Sequence, residues 1–227
     1  AQKLNRPDYL EAATQALGIF QAAPPEGVAL KRNGGTHYLI YSTNPRLLVL
    51  NGFIQALNGL WDYAQISQNP LGLQLFEAGD RAAQAELADY DTGAWSLYEG
   101  VNESSLSYHQ LVREFLQNLC QRTQTEAYCA TAERFLQDEK TPPEIRIRTS
   151  TARAGRPVPI RFTLSKKSTV SLLVDGTPIT SATLAYGDRT LTWAGRRRPG
   201  QVEVTLKARD LAGNTAEVSR TITLKRK

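Results

Sequence analysis

No methionine occurs in this sequence, and only two cysteines do. Without an initiator Met or a signal peptide, the chain is expected to be a processed product, a recombinant product or a piece of something longer. No run reaches the roughly 18 apolar residues of a membrane span. Leu47–Leu60 comes nearest and is broken by Asn51, Gly52, Gln55 and Asn58. Cys120 and Cys129 are separated by eight residues, which matches no zinc pattern and supplies at most two ligands. No metal site is expected. The pair either staples two consecutive helices, which implies an oxidising compartment outside the cytoplasm, or remains as two buried thiols.

The composition is that of a folded chain. Hydrophobic residues make up 41% of it, enough to bury a core rather than stay disordered. The net charge of +5 hides a split. Residues 1–141 hold ten basic and sixteen acidic side chains, a net of −6; residues 142–227 hold seventeen and six, a net of +11. Such asymmetry predicts two domains, 1–141 and 142–227, with different surfaces. The basic half either binds a polyanion or gains solubility and docks against the acidic half. Nucleic acid is not an expected partner, because the basic residues lack interleaved stacking aromatics.

Periodicity fills in the two halves. Pro7–Ala22 reads as a helix with Leu10, Ala13, Leu17 and Phe20 in a stripe. Asn33-Gly34 between two short apolar runs predicts a hairpin. Pro45 to about Ile66 reads as the strongest helix, with Asn51, Asn58 and Asp62 on a polar stripe and Gly52 and Gly59 in register. Pro70 to Ala88 and Ser105 to Arg122 follow, the latter with Tyr108, Val112, Phe115 and Leu119 on its inner face. Thr123-Gln124-Thr125-Glu126 reads as a capping box for a last helix. After the Asp138–Pro143 linker the period becomes two. Six strands are predicted: Pro157–Leu164, Thr169–Val174, Ile179–Ala185, Arg189–Trp193, Gln201–Asp210 and Ala216–Leu224. The fold class is therefore multidomain, α then β: a helical domain with a β-hairpin insertion, then a small β-sandwich.

One stretch is neither helix nor plain connector. Tyr90-Asp91-Thr92-Gly93-Ala94-Trp95-Ser96-Leu97-Tyr98 places three aromatics on a loop between helices. Large aromatic side chains are costly to expose. Asp91 is expected to close a turn, with Gly93 supplying a positive φ. Read singly, Tyr108 is a core aromatic, Tyr41 a hairpin aromatic, and His109 a solvated or backbone-bonded side chain.

Taken together and in order, Val49-Leu50-Asn51-Gly52-Phe53, Gly59-Leu60, Tyr90-Asp91-Thr92-Gly93, Tyr98 and Tyr108-His109 resemble the C-terminal catalytic part of D-glucuronyl C5-epimerases. The resemblance covers roughly residues 7–137. It implies part of an (α/α) toroid, the remainder of which is supplied upstream or by self-association. It implies inversion of C5 of glucuronate in an acidic polysaccharide, with no cofactor. The tail, with its Asp210-Leu211-Ala212-Gly213-Asn214 loop, resembles immunoglobulin-like modules of secreted bacterial proteins. A secreted or cell-surface location follows as an expectation.

The chemistry asks for two acid/base groups on opposite faces of the sugar and for positive charge at its carboxylate. A tyrosine, with a pKa of about 10 when free, serves if cations lower that value. The resemblance assigns the catalytic work to Tyr41, Tyr98 and Tyr108. Two positions depart from the family pattern: Ile40 replaces an acidic residue, and Val101 replaces the arginine that would face the carboxylate. His37, Arg32 and Arg46 are candidates to replace it, and Asn51 joins His37 and Arg46 as a candidate substrate contact. The alternative expectation is a non-catalytic secreted protein that binds a polysaccharide or the cell envelope.

Overall fold

The computed structural model describes residues 4–226. Residues 1–3, which open the expected first domain, and Lys227 of the basic tail lie outside the described residues. The chain divides into two compact units: Ala1–Asp91 with Ser96–Leu136, and Thr92–Trp95 with Gln137–Lys227. Four residues from the middle of the aromatic segment thus belong to the second unit.

The helical elements are α1 (Pro7–Ala16), α2 (Gly18–Gln21), α3 (Leu50–Ser67), α4 (Pro70–Glu86), α5 (Leu106–Thr123) and α6 (Glu126–Asp138). A 3-10 turn, Leu87–Tyr90, extends α4. The predicted helix 7–22 is broken at Leu17, whose N–H bonds back three residues to Thr14 while its side chain is buried. Gly18 follows, and glycine weakens a helix interior. The hairpin is present as β1 (Ala29–Arg32) and β2 (Gly35–Tyr38), paired antiparallel. Asn33 and Gly34 both take positive φ, 49° and 73°, as a two-residue hairpin turn requires. Tyr38 of β2 is buried, and its hydroxyl donates to the Leu75 carbonyl at 2.6 Å. Gly79 of α4 makes room for this ring; a Cβ there would stand 2.7 Å from Tyr38 Cε2 and 2.4 Å from Leu57 Cδ2.

Helix α3 starts at Leu50, not Pro45. Val49 is extended, and the Leu50 N–H donates to the Tyr98 carbonyl at 3.1 Å. A non-local bond therefore sets this helix start. Along α3, Asn58 Nδ2 donates to the Phe115 carbonyl, and Asp62 accepts a two-pronged bond from Arg122. Both tie α3 to α5. Gly59 faces open space. The expected capping box does not form. Thr123 belongs to α5, and its hydroxyl donates to Leu119 O while accepting from Thr125 N–H. Gln124 turns the chain in the left-handed region, φ 55°. Cys120 and Cys129 are joined as a disulfide across this turn.

In the second unit, β4 (Thr151–Arg153), β10 (Thr215–Lys225), β9 (Gly200–Asp210), β6 (Ser168–Val174) and β7 (Thr177–Leu184) form a five-stranded sheet in that order. Strands β3 (Ile145–Ile147), β5 (Val158–Leu164) and β8 (Gly187–Trp193) form a three-stranded one. All six predicted strands are present. Strands β3 and β4 were missed, because three residues carry too little alternation to read. Val158, Ile160, Phe162 and Leu164 of β5 share one buried cluster with Val170, Leu172 and Val174 of β6. Lys166 is buried, its ammonium donating to the carbonyls of Asp138 and Thr141 and lying 3.6 Å from Asp210. The same ammonium stands 5.4 Å above the ring of buried Trp95. Asp210 closes its loop by accepting from both the backbone and side-chain amides of Asn214. Among the described residues, no helix is long and apolar enough to cross a membrane.

Candidate functional site

The segment that follows the 3-10 turn is pinned at almost every residue. Asp91 bridges Ser96 and Leu97 bridges Glu103 in antiparallel fashion. The Leu97 N–H donates to Tyr90 O at 2.8 Å, and the Tyr98 N–H to Asn102 O at 2.8 Å. With Tyr98 O accepting from Leu50, both backbone groups of Tyr98 are held. Thr92 closes the turn, its hydroxyl accepting from the N–H groups of Ala94 and Trp95. Gly93 takes φ 82° as expected. Asp91 also pairs with the Arg134 guanidinium on α6.

His109 is the internal anchor. It is fully buried, and its Nδ1 accepts from both the Ser96 N–H (3.2 Å) and the Ser96 hydroxyl (2.8 Å). An accepting Nδ1 leaves the proton on Nε2, which donates to the Phe135 carbonyl at 2.9 Å. This neutral tautomer ties the loop to α5 and α6. It also rotates α5: the buried face is His109, Val112, Leu116 and Leu119. Tyr108 is therefore displaced from the core, where the apolar stripe alone put it, and is 43% exposed.

Turned outward, Tyr108 meets Tyr98. Their ring centroids are 4.9 Å apart with planes tilted by 54°. Ser105 caps α5 by accepting from the Tyr108 N–H, which fixes the base of the second ring. Tyr41, from the turn after β2, is 47% exposed, and its phenol acts electrostatically on Tyr98. Three chain segments thus bring Tyr41, Tyr98 and Tyr108 into one neighbourhood. Burial raises the Tyr98 pKa above its ordinary value, and the Tyr108 and Tyr41 phenols, the Glu99 carboxylate and a hydrogen bond to Tyr108 raise it further. Each of these influences disfavours the anion. As a neutral phenol Tyr98 is a proton donor. Glu99, which reasoning from sequence passed over, is held by Asn102; its signal was adjacency to Tyr98.

The other predicted positions divide. His37 is a correction. It is fully buried, its ring lies 4.0 Å from that of Phe53, and its Nδ1 is 2.8 Å from Glu86 Oε2. Glu86, also buried, meets Arg32 at 2.8 Å and Asn33 at 3.1 Å. His37 and Arg32 thus serve an interior carboxylate, not a surface ligand. Arg46 is exposed on the loop before α3 and is not among the groups acting on Tyr98. Asn51, in the first turn of α3, keeps a buried Oδ1 with no hydrogen-bond partner. Ile40 lies across Gly52: a Cβ on Gly52 would stand 2.1 Å from Ile40 Cδ1. Val101 is 71% exposed.

Comparison with known proteins adds identity to this geometry. A family described as D-glucuronyl C5-epimerase C-terminus matches residues 2–137. A D-glucuronyl C5-epimerase of Caenorhabditis elegans is 29% identical over 153 residues, spanning 58% of this chain and 25% of that protein. An uncharacterized protein of Methanocaldococcus jannaschii is 29% identical over 126 residues, spanning 53% of this chain and 41% of its own length. The chain therefore spans less than half the length of these curated relatives. Among solved structures, fibronectin(III)-like modules of Clostridium thermocellum CbhA match 37% of this chain and 98% of their own at 26% identity, with a TM-score of 0.31.

Proposed function

This chain belongs to the D-glucuronyl C5-epimerase C-terminus family, and from that premise we propose that it is a uronate C5-epimerase-like protein acting on an anionic polysaccharide. The observation that carries the proposal is the contact of the Tyr98 and Tyr108 rings, with Tyr41 from a third segment near enough to help raise the Tyr98 pKa. Inversion at C5 removes a proton from one face of the sugar and returns one to the other. With ring centroids 4.9 Å apart, Tyr98 and Tyr108 leave no room for a sugar ring between them. Tyr98 and Tyr108 therefore act from one side, with neutral Tyr98 returning the proton, and Tyr41 acts from the other. Asn51 offers its unpartnered Oδ1 to a sugar hydroxyl.

The proposal extends to the architecture. The helical unit is a portion of an α/α toroid, completed upstream or by self-association, and the β unit is an immunoglobulin-like module. The expected domain limits, 1–141 and 142–227, belong to the same reading. The Cys120–Cys129 disulfide supports a secreted or cell-surface protein.

A second reading, binding without turnover, is favoured by one specific observation. The influences on Tyr98 include no cation, and Val101 stands where the family pattern has arginine. Incubating the full chain with a glucuronate polymer in deuterated water separates the two. Epimerisation labels C5, and Tyr98→Phe abolishes the label. Folded protein that binds the polymer and leaves C5 unlabelled establishes the second reading.

A further inference from the structure

The arginines of the β unit are not spread evenly. Two open grooves meet at Arg156. One, of about 590 Å³, is lined by Arg148, Arg153, Arg156 and Arg161 together with Thr149 and Thr151. The other, of about 810 Å³, is lined by Arg156, Arg197 and Arg226. Neither wall carries an Asp or Glu.

The local structure explains the clustering. On β5 the buried Ile160 and Phe162 flank Arg161, so strand alternation turns Arg161 outward. Thr149 locks the chain beside it: its hydroxyl donates to Pro159 O and accepts the Arg161 N–H. The Arg148 N–H donates to Arg161 O, which holds these two backbones side by side. Arg153 ends the edge strand β4, and Gly155, with φ 74°, turns the chain so that Arg156 follows at the junction. Arg148 has a partner in Asp188 at 3.3 Å, both well exposed. Among the described residues, none of the other five is ion-paired.

Like charges gathered in a concave wall raise the local potential for a ligand of the opposite sign. Guanidinium groups match carboxylates with planar, two-pronged hydrogen bonds. The groove walls carry no aromatic ring for a nucleobase to stack on. We propose that this arginine-lined face is a second binding site, on the unit that does not carry the tyrosines, and that it holds an anionic polysaccharide chain by its carboxylates. The choice of a uronate polymer rests on the function proposed above; the polyanion site rests on the grooves alone.

The test uses the full chain and three probes: an unsulfated glucuronate polymer, a neutral glucan, and single-stranded DNA of matched charge. Arg153→Ser/Arg156→Ser/Arg161→Ser removes three of the four arginines of the first groove and leaves only Arg148, which is paired with Asp188. Lys140→Ser/Lys207→Ser/Arg209→Ser removes the same charge from outside both grooves on the same unit. All six positions are exposed, so both variants keep the parent's thermal midpoint. The parent binds the glucuronate polymer with salt-sensitive affinity and does not bind the glucan. The groove variant loses roughly 10- to 100-fold, as for three exposed charge pairs, and the control variant stays near the parent. No binding by the parent, equal losses in the two variants, or an undiminished groove variant overturns the site. DNA bound as tightly as the polymer overturns the polysaccharide assignment. Groove-dependent binding without C5 labelling removes the proposed turnover and leaves this site standing; labelling without groove-dependent binding does the reverse.

Discussion

The rings of Tyr98 and Tyr108 lie 4.9 Å apart on the surface of the helical unit, and a buried histidine puts them there. His109, bonded at both nitrogens, takes the inward position on α5 and turns its neighbour Tyr108 outward. The loop that carries Tyr98 is bonded through Ser96 to the same histidine. One imidazole thus sets both halves of the pair.

Tyr108→Phe is expected to lower the Tyr98 pKa towards its ordinary value, since two of the influences that raise it come from Tyr108. Val101→Arg, at an exposed site three residues along the same turn, is expected to lower it further. NMR titration of ring-labelled tyrosine reads both changes. A Tyr98 resonance that titrates identically in parent and Tyr108→Phe would show that the two phenols are not coupled. If C5 labelling is limited by the missing cation, Val101→Arg raises its rate.

Much of this architecture was legible because it is locally encoded. The β strands alternate cleanly, and Asn33-Gly34 can scarcely be anything but a turn. What escaped was non-local. The start of α3 depends on a carbonyl from Tyr98, which no window around Pro45 contains. The face of α5 was misread because its innermost residue, His109, is polar and paid no attention by an apolar count. His37 was read as a ligand for the same reason. Its carboxylate partner, Glu86, comes from α4, and only the fold brings the two together.

Gly52 and Ile40 make a second testable pair. In an open helix interior, alanine is favoured over glycine by about 1 kcal/mol. At position 52 a Cβ would stand 2.1 Å from both Cγ1 and Cδ1 of Ile40, so Ile40 must move. Gly52→Ala alone is expected to destabilise by roughly 1–3 kcal/mol. In an Ile40→Ala background the same change is expected to stabilise, by roughly 0.5–1 kcal/mol. Urea denaturation of the four proteins closes the cycle. Additive effects would mean that Ile40 does not explain the glycine.

Alkaline pH acts through the buried tyrosines. Burial raises the pKa of Tyr38, Tyr90 and Tyr128; Glu86 adds to the effect at Tyr90, and a hydrogen bond to Asp80 at Tyr128. In the unfolded chain these phenols titrate near 10, at about the free value. Above that pH the native state holds more protons than the unfolded state, so stability falls as pH rises. Below it their contribution is fully present. Phenolate absorbance is expected to rise in two stages, the exposed rings first and the buried ones together with loss of native circular dichroism. A single stage near pH 10 with the fold intact contradicts the burial.

The interior carboxylate is the most sensitive point of the helical unit. Glu86 is 1% exposed and holds Arg32, Asn33 and His37 at hydrogen-bond distance, which ties the hairpin to the end of α4. Glu86→Ala removes the acceptor and leaves donors facing an empty interior. Breaking a buried charged pair from one side costs about 3–5 kcal/mol. Glu86→Gln keeps the shape and one acceptor and is expected to cost less. Hydrogen exchange separates this from a general loss of packing, because the amides of β1 and β2 should lose protection before those of α5. Uniform loss across the helical unit, or a cost for Glu86→Ala below about 1 kcal/mol, would remove Glu86 as the hairpin's anchor. It would also reopen His37, now held inward by that carboxylate, as a group available to a ligand.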